Sequence, residues 1–338
     1  MRSTAEVMIE RDAWNRCRYV GSAQGGHYES YFLRANHPER PLAFWIRYTI
    51  FSPEGRSSDA LGELWAICFD GEAGRITGVK EALPLSSCRF AETGLDVRIG
   101  SAVLTEGRLE GRAGSRGNTL QWALQYEGHD PPLLLLPRSF YERRFPRAKA
   151  LVGTPNATFH GVLTVNGEAI RVEQWRGSQN HNWGSRHTDS YAWGQVAGFD
   201  DAPDTFLECS TARLRLGPLW TPPLSLIVLR TGGREFALNS LTRALRARGR
   251  FHFFDWHIES HSSQARVSAH IHASPSAFVG LHYANPPGGT KTCLNTQLAA
   301  CELTLKEAGQ PPRTFTATRR AAFEILTERQ DHGIAIVA

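Results

Sequence analysis

Apolar residues recur at every second position through much of this chain, and that period constrains the fold more than any other feature. From Pro41 to Phe51, Leu42, Phe44, Ile46, Tyr48 and Ile50 hold the even positions, while Trp45, Arg47, Thr49 and Phe51 form a mixed aromatic and polar odd face. Successive side chains of a strand point to opposite faces, so this spacing predicts half-buried strands and not helices. Leu120, Trp122, Leu124 and Tyr126 alternate in the same way with Gln121, Ala123, Gln125 and Glu127. Leu61 to Phe69 is apolar on both faces except at Glu63, the pattern of a central strand. His160 to Val165, Asn166-Gly167 and Ala169 to Trp175 read as a hairpin closed by a type I′ turn. Further strands are predicted at Tyr191–Gly198, Thr205–Ser210, Leu224–Leu229, Phe251–Glu259, Ala265–His272, Cys293–Leu305 and Ala321–Thr327. A short amphipathic helix is expected at Asn239–Ala247, where Leu241 and Leu245 lie four apart.

The chain has 338 residues, enough for two domains, and 31 glycines and 18 prolines punctuate it often. Many antiparallel strands with only short helices imply an all-β protein built as sandwiches or barrels. The polar, turn-rich segment Asp200-Asp201-Ala202-Pro203-Asp204 is the expected boundary, dividing the chain into domains at 20–200 and 204–338. No apolar run approaches the roughly 20 residues of a membrane span, and the charged N-terminus is unlike a signal peptide. The six cysteines are scattered and form no CxxC pair, so reduced thiols and a cytoplasmic location are expected. The net charge of +5 is concentrated at Arg143, Arg144, Arg147 and Lys149, and at Arg243, Arg246, Arg248 and Arg250. Exposed aromatics do not interleave with these patches, which argues against a nucleic-acid partner and leaves open a peripheral membrane contact.

The richest segment for chemistry runs from Trp175 to Gly194. Trp175-Arg176-Gly177-Ser178-Gln179-Asn180-His181-Asn182-Trp183-Gly184 concentrates amides, one imidazole and two indoles, and Tyr191, Trp193 and Gln195 follow. In a strand His181 and Trp183 share one face, and Asn180 and Asn182 the other. A histidine beside an indole can move a proton at a pocket wall. The spacing Trp-x-Gly-x-x-x-His-Asn-Trp-Gly, with Tyr191 and Trp193-Gly194 after it, resembles the central signature of a lipocalin-like superfamily. That group includes bacterial carotenoid 1,2-hydratases, tocopherol cyclases, AttH-like proteins and fungal Diels–Alderase-type cyclases. Leu281-His282-Tyr283-Ala284-Asn285-Pro286 through Cys293-Leu294-Asn295 is similar to its C-terminal part.

The resemblance implies two tandem lipocalin-like (calycin-type) β-barrels or sandwiches and a hydrophobic small-molecule ligand. A functional His-x-Trp pair of the hydratases maps onto His181 and Trp183, whereas the Tyr-x-Asp pair of those enzymes has no counterpart in this sequence.

Two carboxylates are further candidates. Glu63, near Trp65, and Glu208, between Phe206 and Ser210, would become proton donors if they faced an apolar cavity, because desolvation raises a carboxyl pKa. The expected catalytic set is therefore His181, Glu63 and Glu208. The expected ligand wall is Trp183, Tyr191, Trp193, Asn180, Asn182, Gln195, Trp65 and Trp45. Asp255, His257, Glu259, His270 and His272 alternate onto a polar hairpin face that reads as solvated, so no metal site is expected. There is no P-loop, Gly-x-Gly-x-x-Gly, HExxH or Gly-x-Ser-x-Gly motif. The expected function is a cofactor-independent hydratase, cyclase or isomerase acting on an isoprenoid- or polyketide-type molecule. The competing expectation is a non-catalytic lipid or pigment carrier, which has no need of an acid in its cavity.

Overall fold

The computed structural model describes residues 4–21 and 25–338. Its strands gather into two large antiparallel sheets, as the period of two requires, with α-helix confined to Thr4–Asn15 and Leu241–Arg246 among the described residues. The first sheet takes twelve strands between His27 and Gly184, and the second takes ten between Ser190 and Thr327.

Both sheets curl toward barrels. In the first, Arg75–Pro84 begins the strand order, yet it returns to Arg108–Ser115 on the far side. There the Lys80 amide donates to Ser115 Oγ at 3.1 Å, and the Gly114 amide donates to Glu81 Oε1 at 2.7 Å. The interior fills with Tyr31, Phe44, Tyr48, Trp122, Phe159 and Trp175. In the second sheet Thr211 and Ser225 bond through their hydroxyls at 2.8 Å, and Trp256 Nε1 donates to Thr211 Oγ1 at 3.1 Å. Gly249 lies directly over those hydroxyls: a Cβ there would stand 2.2 Å from both oxygens. A third apolar cluster belongs to neither interior. Phe32, Trp45, Trp65 and Ile67 of the first sheet meet Trp193, Leu281, Tyr283 and Leu326 of the second.

The predicted hairpin at Asn166-Gly167 is present, with Asn166 and Gly167 at φ 51° and 90° between the strands Ala148–Val165 and Glu168–Gly184. Three expectations are corrected. The expected boundary at Asp200–Asp204 is a hairpin turn inside the second sheet, where Ala197 pairs with Phe206. The chain passes between the sheets earlier, over residues 185–189. Polar turn residues serve a tight hairpin as well as they serve a linker, so composition did not separate the two. Phe251–Glu259 is not one strand but two, Arg248–His252 and Asp255–His261, reversing at Phe254 with φ 73°. The helix Leu241–Arg246 turns Leu241 and Leu245 outward and buries Ala244.

The N-terminal helix Thr4–Asn15 was not anticipated. It lays Val7, Arg11, Trp14 and Asn15 onto the first sheet, and Arg11 Nη2 donates to the carbonyls of Gly128 and Asp130 at 2.7 and 2.8 Å.

Gly249→Val should destabilise the protein by about 2 kcal/mol or more, because the hydroxyl pair cannot retreat without breaking the seam. Urea denaturation checks this, and an unchanged midpoint would show that the close approach is not needed.

Candidate active site between the two sheets

A cavity of about 210 Å³ opens where the faces of the two sheets meet. Alternation dictates its walls. Along Phe206–Arg213, Glu208, Ser210 and Ala212 point into it, continuing to Leu214. The neighbouring strand Ser190–Ala197 contributes Tyr191 and Trp193, and Arg313–Thr327 contributes Glu324. The first sheet supplies Tyr28 and Phe32, Trp45 and Arg47, and Asn180 and Asn182. Leu135, Leu151 and Leu226 are among its apolar lining.

Glu208 is fully enclosed. Burial pushes its carboxyl up to about 7, against opposing hydrogen bonds from Trp193 and Gln195 and the charge of Arg34. Trp193 Nε1 donates to Glu208 Oε1 and Gln195 Nε2 to Oε2, both at 2.8 Å. Desolvation outweighs donors that favour the anion, so the acid form of this carboxyl survives up to neutrality. Glu324 is likewise raised by burial. Its Oε2 accepts from Tyr191 Oη at 3.3 Å, and its Oε1 accepts from Asn295 Nδ2 at 2.6 Å. The two acids flank the strand that carries Trp193. His187 stacks on Tyr28 at 4.0 Å, and burial followed by the charge of Arg47 lowers it to about 3, which leaves a neutral imidazole.

The expected residues therefore divide. Asn180, Asn182, Tyr191, Trp193, Trp45 and Glu208 line the cavity, and Gln195 stands behind it, bonded to Glu208, Asn180 and Ser178. His181, Trp183, Glu63 and Trp65 do not line it. His181 and Trp183 occupy odd positions of their strand, and the pleat turns them to the opposite face. There Nε2 of His181 contacts Glu29 Oε1 and Nδ1 contacts the Trp14 carbonyl, each at 2.8 Å. These two contacts tie the N-terminal helix to the sheet. Burial works to raise Glu29, but hydrogen bonds from His181 and His27 outweigh it and hold its carboxyl at about 2. Glu63 pairs with Lys80 Nζ at 2.8 Å and accepts from Trp65 Nε1 at 3.3 Å.

Sequence reasoning missed Arg47, Glu324 and His187. The available signal was a lone charge in an apolar strand: Arg47 within Leu42–Ile50, and Glu324 within Ala321–Leu326. The histidine hairpin lies apart from the cavity. Asp255, His257 and His270 bring ligand atoms within 4.8 Å of one another, but they are solvated and Asp255 already pairs with His270 at 2.7 Å.

No family model matches the chain. It is 26% identical over 292 residues to MT0513 and to Rv0493c of two Mycobacterium tuberculosis strains, both described only as uncharacterized proteins. These alignments cover 85% of this chain and 83% of each relative. An AttH-like protein of Nitrosomonas europaea superposes with a TM-score of 0.58 at 15% identity, over 91% of this chain and 94% of that one. Kievitone hydratase of Nectria haematococca gives 0.54 at 12% identity, over 95% of each chain. CghA gives 0.56 at 11% identity, over 91% of this chain and 89% of its own. The chain has the lipocalin-like fold of these proteins. Among its described residues no helix is long and apolar enough to cross a membrane.

His181→Ala should cost about 1–3 kcal/mol, because Glu29 stays buried and loses one of its hydrogen-bond partners. A loss below about 1 kcal/mol in thermal or urea unfolding would show that the pair does not clamp the helix.

Proposed function

We propose that this protein is an enzyme that transfers a proton to a largely apolar small molecule held between its two sheets. Hydration, cyclisation and isomerisation of an isoprenoid- or polyketide-type alkene all begin with such a step. The observation that carries the reading is Glu208, a carboxyl raised to about 7 in the wall of an apolar cavity, so that its acid form is present at neutral pH. A general acid works best when its pKa lies near the operating pH. Trp193 and Trp45 offer ring faces on which a developing cation could be stabilised. That kievitone hydratase shares the fold supports the same class of reaction. Proton transfer of this kind needs no cofactor.

Glu208 would give its proton to the substrate and recover one from water. Glu324, in its ionised form, would take the proton released at the other end of the reacting group and pass it to water, so that one proton enters and one leaves in each turnover. A cavity of about 210 Å³ is below the roughly 300–1,000 Å³ of pockets that enclose drug-sized ligands, so a long substrate must extend through the mouth. A carrier would bind the same molecules but would have no use for a protonated carboxyl in its wall.

Molecules that co-purify under native mass spectrometry, and candidate polyenes, should acquire deuterium when incubated with the protein in heavy water. Glu208→Gln should slow this at least about 100-fold, and the wild-type rate should fall as pH rises past about 7, where the acid form is lost. Unchanged labelling in Glu208→Gln would remove Glu208 from the reaction, and binding with no labelling at all would make the protein a carrier.

A further inference from the structure

The cavity contains a buried cation whose hydrogen-bonding capacity is largely unspent. The Arg47 side chain is only 5% exposed. Its Nε and Nη2 both donate to Ser30 Oγ, at 2.9 and 2.6 Å, and these are the hydrogen bonds that it makes among the described residues. A guanidinium has five N–H donors, and here they share one hydroxyl. Burial works to lower its pKa, but the acidic groups around it, Tyr283, Glu324 and Glu63, hold it above the ordinary value, so the cation persists. Its guanidinium lies 4.4 Å over the Tyr283 ring and 5.8 Å from that of Trp45. Buried cations are normally paired; Glu324 acts on this one through space, but no carboxylate hydrogen-bonds it among the described residues, and within the cavity a ligand can supply that contact.

We propose that Arg47 binds an oxyanion of the substrate, a carboxylate, enolate or phenolate, so that the cavity selects an amphipathic organic acid. The proposal rests on the cavity's being a substrate site. The acidic head would sit against Arg47 beside Tyr28, His187 and Tyr283, and the apolar body would run along Trp193 and Leu226 toward the mouth.

Titration of intrinsic tryptophan fluorescence with decanoate and with methyl decanoate tests this without knowledge of the natural substrate. Decanoate should bind at least about tenfold more tightly than the ester. Arg47→Met should remove that preference while the ester still binds, and Arg47→Lys should retain part of it. Equal affinity for acid and ester, or a preference that survives in Arg47→Met, overturns the assignment. If neither probe binds the folded wild-type protein, the cavity is not a ligand site, and this inference falls together with the proposed function.

The rim carries a second, independent observation. Phe145 and Leu241 line the cavity and are also exposed, and Leu245 is exposed beside them. Leu214, another lining residue, leads into the hairpin Arg215–Leu216 and Leu219–Trp220, which joins neither large sheet and leaves Leu216 and Leu219 63% and 71% exposed. The three rim segments 138–147, 213–220 and 240–247 hold eight arginines and one acid, Glu142. That is more positive charge than the +5 of the entire chain.

Apolar side chains ringed by arginines complement an anionic lipid surface. We infer that the mouth docks on such a surface, through which an amphipathic substrate would enter. The protein should float with phosphatidylglycerol-containing vesicles at low salt and dissociate at about 1 M salt. Leu219→Asp, and Arg143→Glu with Arg144→Glu, should each weaken this at least about tenfold, while Glu208→Gln should leave it unchanged. Failure to float, or flotation indifferent to these variants, overturns the inference. So does a concentration-dependent dimer that Leu219→Asp abolishes, since the rim would then be covered by a second copy.

Discussion

The two sheets are joined by a polar seam, and the candidate site depends on it. Arg34 is fully buried, and burial lowers its pKa to about 9, still cationic at neutral pH. It donates to Gln297 Oε1 at 2.7 Å, to Asn36, to the Arg320 carbonyl at 3.0 Å and to Gln195 Oε1 at 3.4 Å. Gln195 in turn accepts from Ser178 Oγ at 2.6 Å and donates to Asn180 Oδ1 and Glu208 Oε2, each at 2.8 Å. A network of this kind is costly unless every member is satisfied, and it then fixes one arrangement of the groups it connects. It sets how the second sheet sits on the first, and it presents Glu208 to the cavity in one orientation.

That placement explains how one strand can serve two purposes. Even positions of Glu168–Gly184 face the seam and cavity through Ser178, Asn180 and Asn182, while odd positions face the N-terminal helix through Gln179, His181 and Trp183. Gly177 marks where this strand runs closest to its neighbour His27–Asn36 within the first sheet, since a Cβ there would meet the Arg34 carbonyl at 1.8 Å. The unusual density of Trp, His and Asn in this segment thus reflects both faces of the strand being buried against different partners.

Much of the fold was legible because it rests on local pattern. Alternation located most of the long strands, and the Asn166-Gly167 turn was readable from its dipeptide. The chemistry was only half legible. Sequence could separate Asn180 and Asn182 from His181 and Trp183 by parity, but which face met the second sheet depends on contacts far apart in the chain. His181 drew attention for its residue type, yet its partners Glu29 and the Trp14 carbonyl lie about 150 residues or more away. Arg47 and Glu324 each stood out as a lone charge in an apolar strand, but they converge from strands of different sheets, so their meeting could not be read before the sheets were placed. The N-terminal helix escaped for a simpler reason: its buried residues include Arg11 and Asn15, which interrupt the apolar stripe by which helices are recognised.

Keeping Glu208 protonated has an energetic consequence with a definite sign. Its carboxyl rises from 4.5 to about 7 on folding, so ionising it in place costs on the order of 3 kcal/mol. The folded state holds the proton more tightly than the unfolded chain, so this group's contribution to stability is full below about pH 4.5 and is lost as pH rises through about 7. The titration of Glu208 itself is the most direct measurement. Carboxyl carbon shifts of the wild-type protein, with the Glu208 signal assigned by its absence in Glu208→Gln, should report a group still largely protonated at pH 6 with a midpoint near 7. A midpoint near 4 would mean that Glu208 is an ordinary carboxylate, and the account of the cavity as a proton-transfer site would be wrong.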